Sequence, residues 1–274
     1  MPSLAKPAFV TYNSGVMKKY MVPLLCALPL LALSCANAPA RQLQYYPWHH
    51  TYSILFNPDS PTEGPQFRLA LTLLRITYPP EQAAFLNSVL YAAGSMDGYR
   101  ERLIARKRGE FRDAVSAAGG GDWHYAEYMD VLIRHKNGGI VIRRKMETVA
   151  GDKSLSQMRY YVVDLVALRR LRIDDFFHDF QGGSTREMVY GELRRHSGLA
   201  YMSPLSYAGF FSNYPELSFN FRISVDGIAL RWDPGEIAPH SKGGIDLLIP
   251  WSAASPVLCC CSAEKLAVFG IYPG

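Results

Sequence analysis

The sequence predicts an α+β fold of antiparallel sheets with packed helices, arranged as two subdomains. Three observations carry that expectation. Residues 67–78 and 217–225 alternate apolar and polar positions, as half-buried strands do. Residues 95–118 and 184–196 instead carry apolar side chains at helical spacing. Asn137-Gly138 and Asp226-Gly227 separate paired β-like runs, as hairpin turns do. With 49% hydrophobic and 19% charged residues, the 274-residue chain has the composition of a protein with a real core. That composition excludes wholesale disorder. A single apolar run near spanning length excludes a multi-span membrane protein.

The first segment reads as an export signal. Residues 1–16 have no pattern and are taken as an upstream mis-start, with Met17 as the natural start. Met17-Lys18-Lys19-Tyr20 is a basic lead-in, and residues 21–34 form an apolar stretch shorter than the ~20 residues a transmembrane helix needs. Pro23 and Pro29 disfavour a straight spanning helix. Ala32-Leu33-Ser34-Cys35 resembles a lipobox, with its leucine at −2 instead of −3. Cys35 is therefore the expected lipidation site, closing a signal over 17–35; cleavage after Ala38 or Ala40 is the alternative. Residues 36–50 read as a tether, 51–150 as an N-terminal α+β subdomain and 151–274 as a C-terminal one.

Within the body, Tyr52–Phe56 reads as a strand and Asn57–Pro65 as a loop. Phe67–Tyr78 is a strand with Phe67, Leu69, Leu71 and Leu73 on one side. Pro79-Pro80 ends it and opens a helix over 81–92, Pro80 suiting the first helical position. A second helix covers 95–118, capped by Ser95 or Asp97 and ended by Gly119-Gly120-Gly121. Trp123–Arg134 and Ile140–Val149 form a hairpin, and Met158–Val166 is a further strand. Ile173–Phe180 reads as a short helix. Ser184–His196 is an amphipathic helix capped by Ser184 or Thr185. Strands over 217–225, 228–232 and 245–249 and a short helical stretch over 251–258 complete the pattern.

Charge and chemistry narrow the function. Three of the 29 basic residues, Lys6, Lys18 and Lys19, precede Cys35 without any acid, leaving 26 against 24 acidic. So small an excess argues against nucleic acid as a partner. Arg100, Arg102, Arg106, Lys107, Arg108 and Arg112 crowd one helix; interleaved acids make it read as a solvated face, with attraction to anionic lipid headgroups or envelope polymers as the alternative. Zinc-helix, nucleophile-elbow and phosphate-loop motifs are missing. His124 and Glu127 lie three apart on a strand, hence on opposite faces. Glu187 and Glu192 read as a solvated helix face, and Asp174-Asp175 as helix-start acids. Cys259, Cys260 and Cys261 cannot all face one point. They read as small packing residues, with a vicinal disulfide or an intermolecular bridge as alternatives. No metal, cofactor or catalytic residue is expected.

Residues 219–245 carry a resemblance. Phe219 to Asp226 forms a strand, Asp226-Gly227 a turn, Ile228–Trp232 a second strand. Asp233-Pro234-Gly235-Glu236-Ile237-Ala238-Pro239-His240 follows, then Gly243-Gly244 and a strand. This is similar to a domain family of unknown function shared by the extracytoplasmic region of the lysozyme-sensing anti-sigma factor RsiV and the non-catalytic part of the peptidoglycan deacetylase PdaC. Upstream, Tyr161 to Asp164 and Leu171 to Phe177 resemble that family's preceding segment. The family's Tyr before Glu-Ile-Ala-Pro is Gly235 here. Asp226-Gly227 is expected to supply the positive φ of a tight hairpin. The resemblance implies a non-enzymatic, lipid-anchored binding module of the bacterial cell envelope. Its expected partners are membrane lipid through the acylated N-terminus, and lysozyme or peptidoglycan. Asp233, Glu236 and His240 are its candidate binding segment. The alternatives are an enzyme acting on cell-wall glycan and a membrane-bound sensor.

Overall fold

A computed structural model describes residues 43–55, 64–92, 94–118 and 121–272. The signal segment with Cys35, residues 36–42 of the expected tether, loop residues 56–63 and Gly119-Gly120 lie outside the described residues.

The architecture is α+β. Six strands form one sheet in sequence order: β1 (Gln44–Leu55), β2 (Gln66–Tyr78), β3 (Trp123–Arg134), β4 (Gly139–Ala150), β5 (Lys153–Asp164) and β6 (Arg169–Leu171). Neighbours run antiparallel except β2 and β3, which are parallel. That one pair departs from the expected antiparallel order for a topological reason. The chain between them forms helices α1 (Pro80–Tyr91) and α2 (Met96–Ala118), which return it to the end from which β2 began. β1 corrects the tether, since Gln44 onward is already an edge strand paired to β2 along its length. Pro47 fits there because an edge tolerates a missing N–H.

Local rules account for the elements. Pro80 occupies the first turn of α1. Ser95 Oγ accepts the Gly98 N–H at 3.1 Å at the start of α2. Phe67, Leu69, Leu71 and Leu73 all face inward on β2. The β2–β3 ladder ends at Thr72. Two residues further on, the Tyr91 hydroxyl donates to the Leu74 carbonyl at 2.6 Å and accepts the Leu74 N–H at 3.0 Å. A side chain thereby satisfies the buried backbone of the strand.

The C-terminal part adds helix α3 (Gly183–His196), a three-stranded antiparallel sheet of β7 (Phe221–Ile223), β8 (Gly227–Trp232) and β9 (Ile245–Pro250), and short helices α4 (Trp251–Ala254) and α5 (Ser262–Ala267). Gly182, not Ser184 or Thr185, is the N-cap of α3; the Thr185 hydroxyl bonds Asp179 O instead. The helix expected over 173–180 is a single 3₁₀ turn at Ile173–Asp175. The strand expected over 217–225 shortens to three residues. Ser218 Oγ takes the Asn220 N–H and donates to Arg231 O, displacing the regular ladder. Gly227 does not take the expected positive φ. It is required because a Cβ there would run into the Ile249 carbonyl of the adjacent strand.

The boundary expected at 150/151 falls in the tight β4–β5 connection, where Gly151 has φ +59°. The two halves are two cores on opposite faces of these strands. Ile140, Ile142, Tyr161 and Val163 pack with β2, α1 and α2, whereas Val141 and Val162 pack with α3 and β7–β9. Strand alternation thus assigns neighbouring residues to different cores.

Candidate functional site

The segment 233–240 is built first as architecture. β5 pairs with β6 only from Val162 onward, which leaves the edge at 158–160 open. Asn220 and Asp233 close it with side chains. Asn220 Oδ1 accepts the Tyr160 N–H at 2.9 Å, and its Nδ2 donates to Met158 O at 2.6 Å. Asp233 Oδ1 accepts the Met158 N–H at 2.9 Å, while Oδ2 takes an ion pair from Arg159 at 2.6 Å. Buried Asp233 also lies 3.7 Å from Arg231 Nε, and Arg231 itself reaches Asp246 at 2.6 Å. Glu236 Oε2 accepts the Asp233 N–H at 2.8 Å, tightening the bend. His240 is exposed and seated against Gly235. Gly235 has φ +86°, and a Cβ there would meet the His240 ring at 2.5 Å. The imidazole therefore fills space that the Gly-for-Tyr difference opens. Asp233 and Glu236 come together; neither they nor His240 line the two larger grooves described next.

Those grooves flank the end of α3. One, of about 640 Å³, lies between α3 and residues 253–257, with Met188, Leu199, Tyr201 and Val257 in its wall. The other, of about 580 Å³, is lined by His196, Phe210, Lys242 and Asp246 among others. Between α3 and β7 runs a stretch that sequence reasoning passed over. Tyr201, Met202, Tyr207, Phe211, Tyr214 and Phe219 are each more than half exposed. Leu205, Phe210 and Leu217 anchor the same stretch in the core. Polar ties hold its backbone: Arg194 Nε to Ser203 O at 2.8 Å, the Phe211 N–H to Ile237 O at 3.0 Å, the Tyr190 hydroxyl to Pro215 O at 3.0 Å, and Lys242 to Ala208 O. These aromatics are thus carried on a fixed frame. The signal was compositional: six of residues 201–219 are aromatic, against 12% for the whole chain, and Glu216 is the sole charge.

Glu187 and Glu192 both line the larger groove. Five residues apart on one helix, they project roughly 140° apart around its axis, and Glu192 pairs with Arg195. They do not face each other across a cleft as glycosidase carboxylates do.

Another charged group lies on the opposite core. Glu127 is fully buried, His124 exposed, as their spacing implied. Glu127 accepts hydrogen bonds from Tyr99 at 2.8 Å and Tyr125 at 2.7 Å and sits 3.0 Å from Arg144 Nε. Arg144 also lies over the Tyr99 ring and donates to its hydroxyl. Burial, then the Glu127 charge, pushes the Tyr99 and Tyr125 phenols well above their ordinary range; burial does the same to Tyr91. Burial opposes charge on Arg144, but Glu127 outweighs it together with the surrounding tyrosines and holds the guanidinium more firmly protonated. The cluster fastens α2 to β3 and β4, and its Tyr125 lines a groove of about 280 Å³ together with Lys107, Glu110 and Met146.

The cysteines differ from the packing expectation. Cys260 and Cys261 are exposed, and Cys259 and Cys261 turn their sulfurs toward each other at 2.8 Å. Among the described residues, no group of three His, Cys, Asp or Glu is placed to hold a metal ion.

Comparison with known proteins bears on the C-terminal core. No curated protein matches the chain. A solved DUF3298-family member from Bacteroides fragilis superposes with a TM-score of 0.65 at 18% identity, covering 81% of this chain and 96% of its own. A DUF3298-family protein from Pseudomonas aeruginosa gives 0.59 at 13% identity, covering 85% and 98%. These likenesses show a shared fold. Residues 184–252, from α3 through β9 and including the aromatic stretch, match the family described as protein of unknown function (DUF3298), so the sequence likeness to that family rests on this part of the chain.

Proposed function

We propose that this protein is an exported, lipid-anchored module of the bacterial cell envelope that binds cell-wall glycan without acting on it. The observation that carries the reading is the exposed aromatic stretch 201–219 beside the α3 groove, held on a fixed frame. Tyrosine offers an apolar face with a polar tip, loses little entropy on binding and is enriched at binding hot spots. The near absence of charge in that stretch suits a polysaccharide better than a strongly basic protein such as lysozyme. The basic lead-in, apolar stretch and Cys35 support export and acylation. The resemblance of residues 219–245 to the extracytoplasmic region of RsiV and the non-catalytic part of PdaC supports a binding role.

The test is co-sedimentation of the full chain with insoluble peptidoglycan, beside capture on immobilised lysozyme. The expected result is pelleting with peptidoglycan. Replacing Tyr201, Tyr207 and Tyr214 together by Ser removes about 1 kcal/mol apiece, a loss of roughly a hundred-fold in affinity. Capture by lysozyme alone replaces the glycan with that protein, and retention by neither overturns the reading. Mass spectrometry of the mature N-terminus tests the anchor: an acylated Cys35 is expected, and a free terminus at Pro39 or Arg41 refutes it.

A further inference from the structure

We propose that Cys259 and Cys261 are a redox dithiol that exchanges electrons with disulfide-bearing substrates, Cys261 attacking and Cys259 resolving. The pair stands apart from the aromatic surface and does not depend on the glycan reading.

The backbone sets the pair up. The Cys259 N–H donates to Phe176 O at 2.9 Å, and Cys259 O accepts both the Ser262 N–H at 3.0 Å and the Ser262 hydroxyl at 2.7 Å. The chain turns tightly between these ties. Cys260 is displayed outward, and the sulfurs on either side of it come to 2.8 Å. A disulfide bond is about 2.0 Å long, so closing it needs less than an ångström of further approach.

The two thiols have unlike surroundings. Cys261 is exposed and receives Lys265 Nζ at 3.2 Å. Lys265 is itself held by Asp175, through the carbonyl at 2.6 Å and the carboxylate at 3.5 Å. Cys259 is half-buried, and its thiol faces the Asp175 carbonyl at 3.4 Å. Hydrogen bonds from Cys259 and Lys265 lower the Cys261 thiol, while burial and then Cys261 raise the Cys259 thiol. An accessible thiolate beside a cation is the attacking member of a dithiol, and a protonated, shielded neighbour is the resolving one.

The exchange balances without a further reagent. The Cys261 thiolate bonds to one sulfur of R–S–S–R, the substrate S–S bond breaks, and R–S⁻ leaves. Cys259 then gives up its proton to that leaving thiolate and bonds to Cys261 Sγ, expelling the second R–S⁻. Two protein thiols are oxidised and one substrate disulfide becomes two thiols.

The experiment incubates the full chain with glutathione disulfide, alkylates the remaining thiols and maps the peptide containing residues 259–261 by mass spectrometry. The expected product is a Cys259–Cys261 bridge with Cys260 still alkylated. Cys260→Ser should bridge as the parent does. Cys259→Ser should stop at a glutathione adduct on Cys261, and Cys261→Ser should form neither bridge nor adduct at a comparable rate. Lys265→Gln should slow alkylation of Cys261 at pH 7 by roughly three- to ten-fold, through a smaller thiolate fraction. A bridge involving Cys260, only intermolecular dimers, equal reactivity of Cys259 and Cys261, or an adduct that fails to accumulate in Cys259→Ser overturns the proposal.

Discussion

Replacing Glu127 by Gln keeps the shape of the side chain and removes its charge from a fully buried position. The carboxylate accepts from Tyr99 and Tyr125 and balances Arg144, whose side chain is 13% exposed. An amide has one acceptor oxygen and one donor nitrogen. Whichever way Gln turns, its NH₂ faces either the guanidinium or the two phenols that now donate. Breaking a buried ion pair by neutralising one member costs about 3–5 kcal/mol, mostly because the partner charge stays behind. Against a net stability of about 5–15 kcal/mol, that is a large fraction. With a urea slope near 2 kcal/mol per molar, the unfolding midpoint should fall by about 2 M. Urea unfolding followed by tryptophan fluorescence measures it. Glu147→Gln, which loses only a partly exposed pair with Lys145, serves as the control and should move stability by less than about 1 kcal/mol. A loss of under 1 kcal/mol in Glu127→Gln would show that Arg144 finds water easily, and would refute the description of the cluster.

Three further outcomes follow from the same geometry. Tyr91, Tyr99 and Tyr125 keep their protons in the folded state to higher pH than an unfolded tyrosine does. Their contribution is therefore complete below about pH 10 and is lost as pH rises above it, at about 4 kcal/mol per pH unit for three groups; stability that stays level from pH 9 to 11.5 contradicts this. Gly235→Tyr, which restores the residue usual in the resembling family, should cost about 2 kcal/mol, because φ is +86° and the His240 ring stands where the side chain must go. A thermal melt matching the parent would show that the bend readjusts freely. Gly227→Ala should cost about 3 kcal/mol by forcing β8 away from β9, read as a lowered melting temperature and faster exchange of the β8 amides; unchanged exchange would count against that close approach.

Regular periodicity made much of the fold legible. Trp123–Arg134 emerged with the bounds its pattern implied, and the inward face of β2 is the leucine series read from its alternation. Residues 44–51 of β1 were hidden because an edge strand needs no apolar alternation, and Pro47 argues locally against any strand. The parallel β2–β3 pair depends on where two helices deliver the chain, which no local pattern records. Asp233 was singled out as a candidate binding residue, yet its oxygens are committed to Met158 and Arg159. The sulfur pair was missed because adjacency in sequence suggested divergence, whereas a tight turn brings positions i and i+2 face to face.

The double use of β4 and β5 makes them a party wall between the helical half and the domain that follows. Severing the chain after Ala150 would strip β4 of its neighbour and bare Val141 on one side while β5 left with Val162 on the other. Each fragment would carry a newly unpaired strand edge and a bared core face, so each is expected to clump when produced alone. Descent with modification must then treat residues 43–272 as a single inheritable block, and any shuffling of modules has its seams outside that wall.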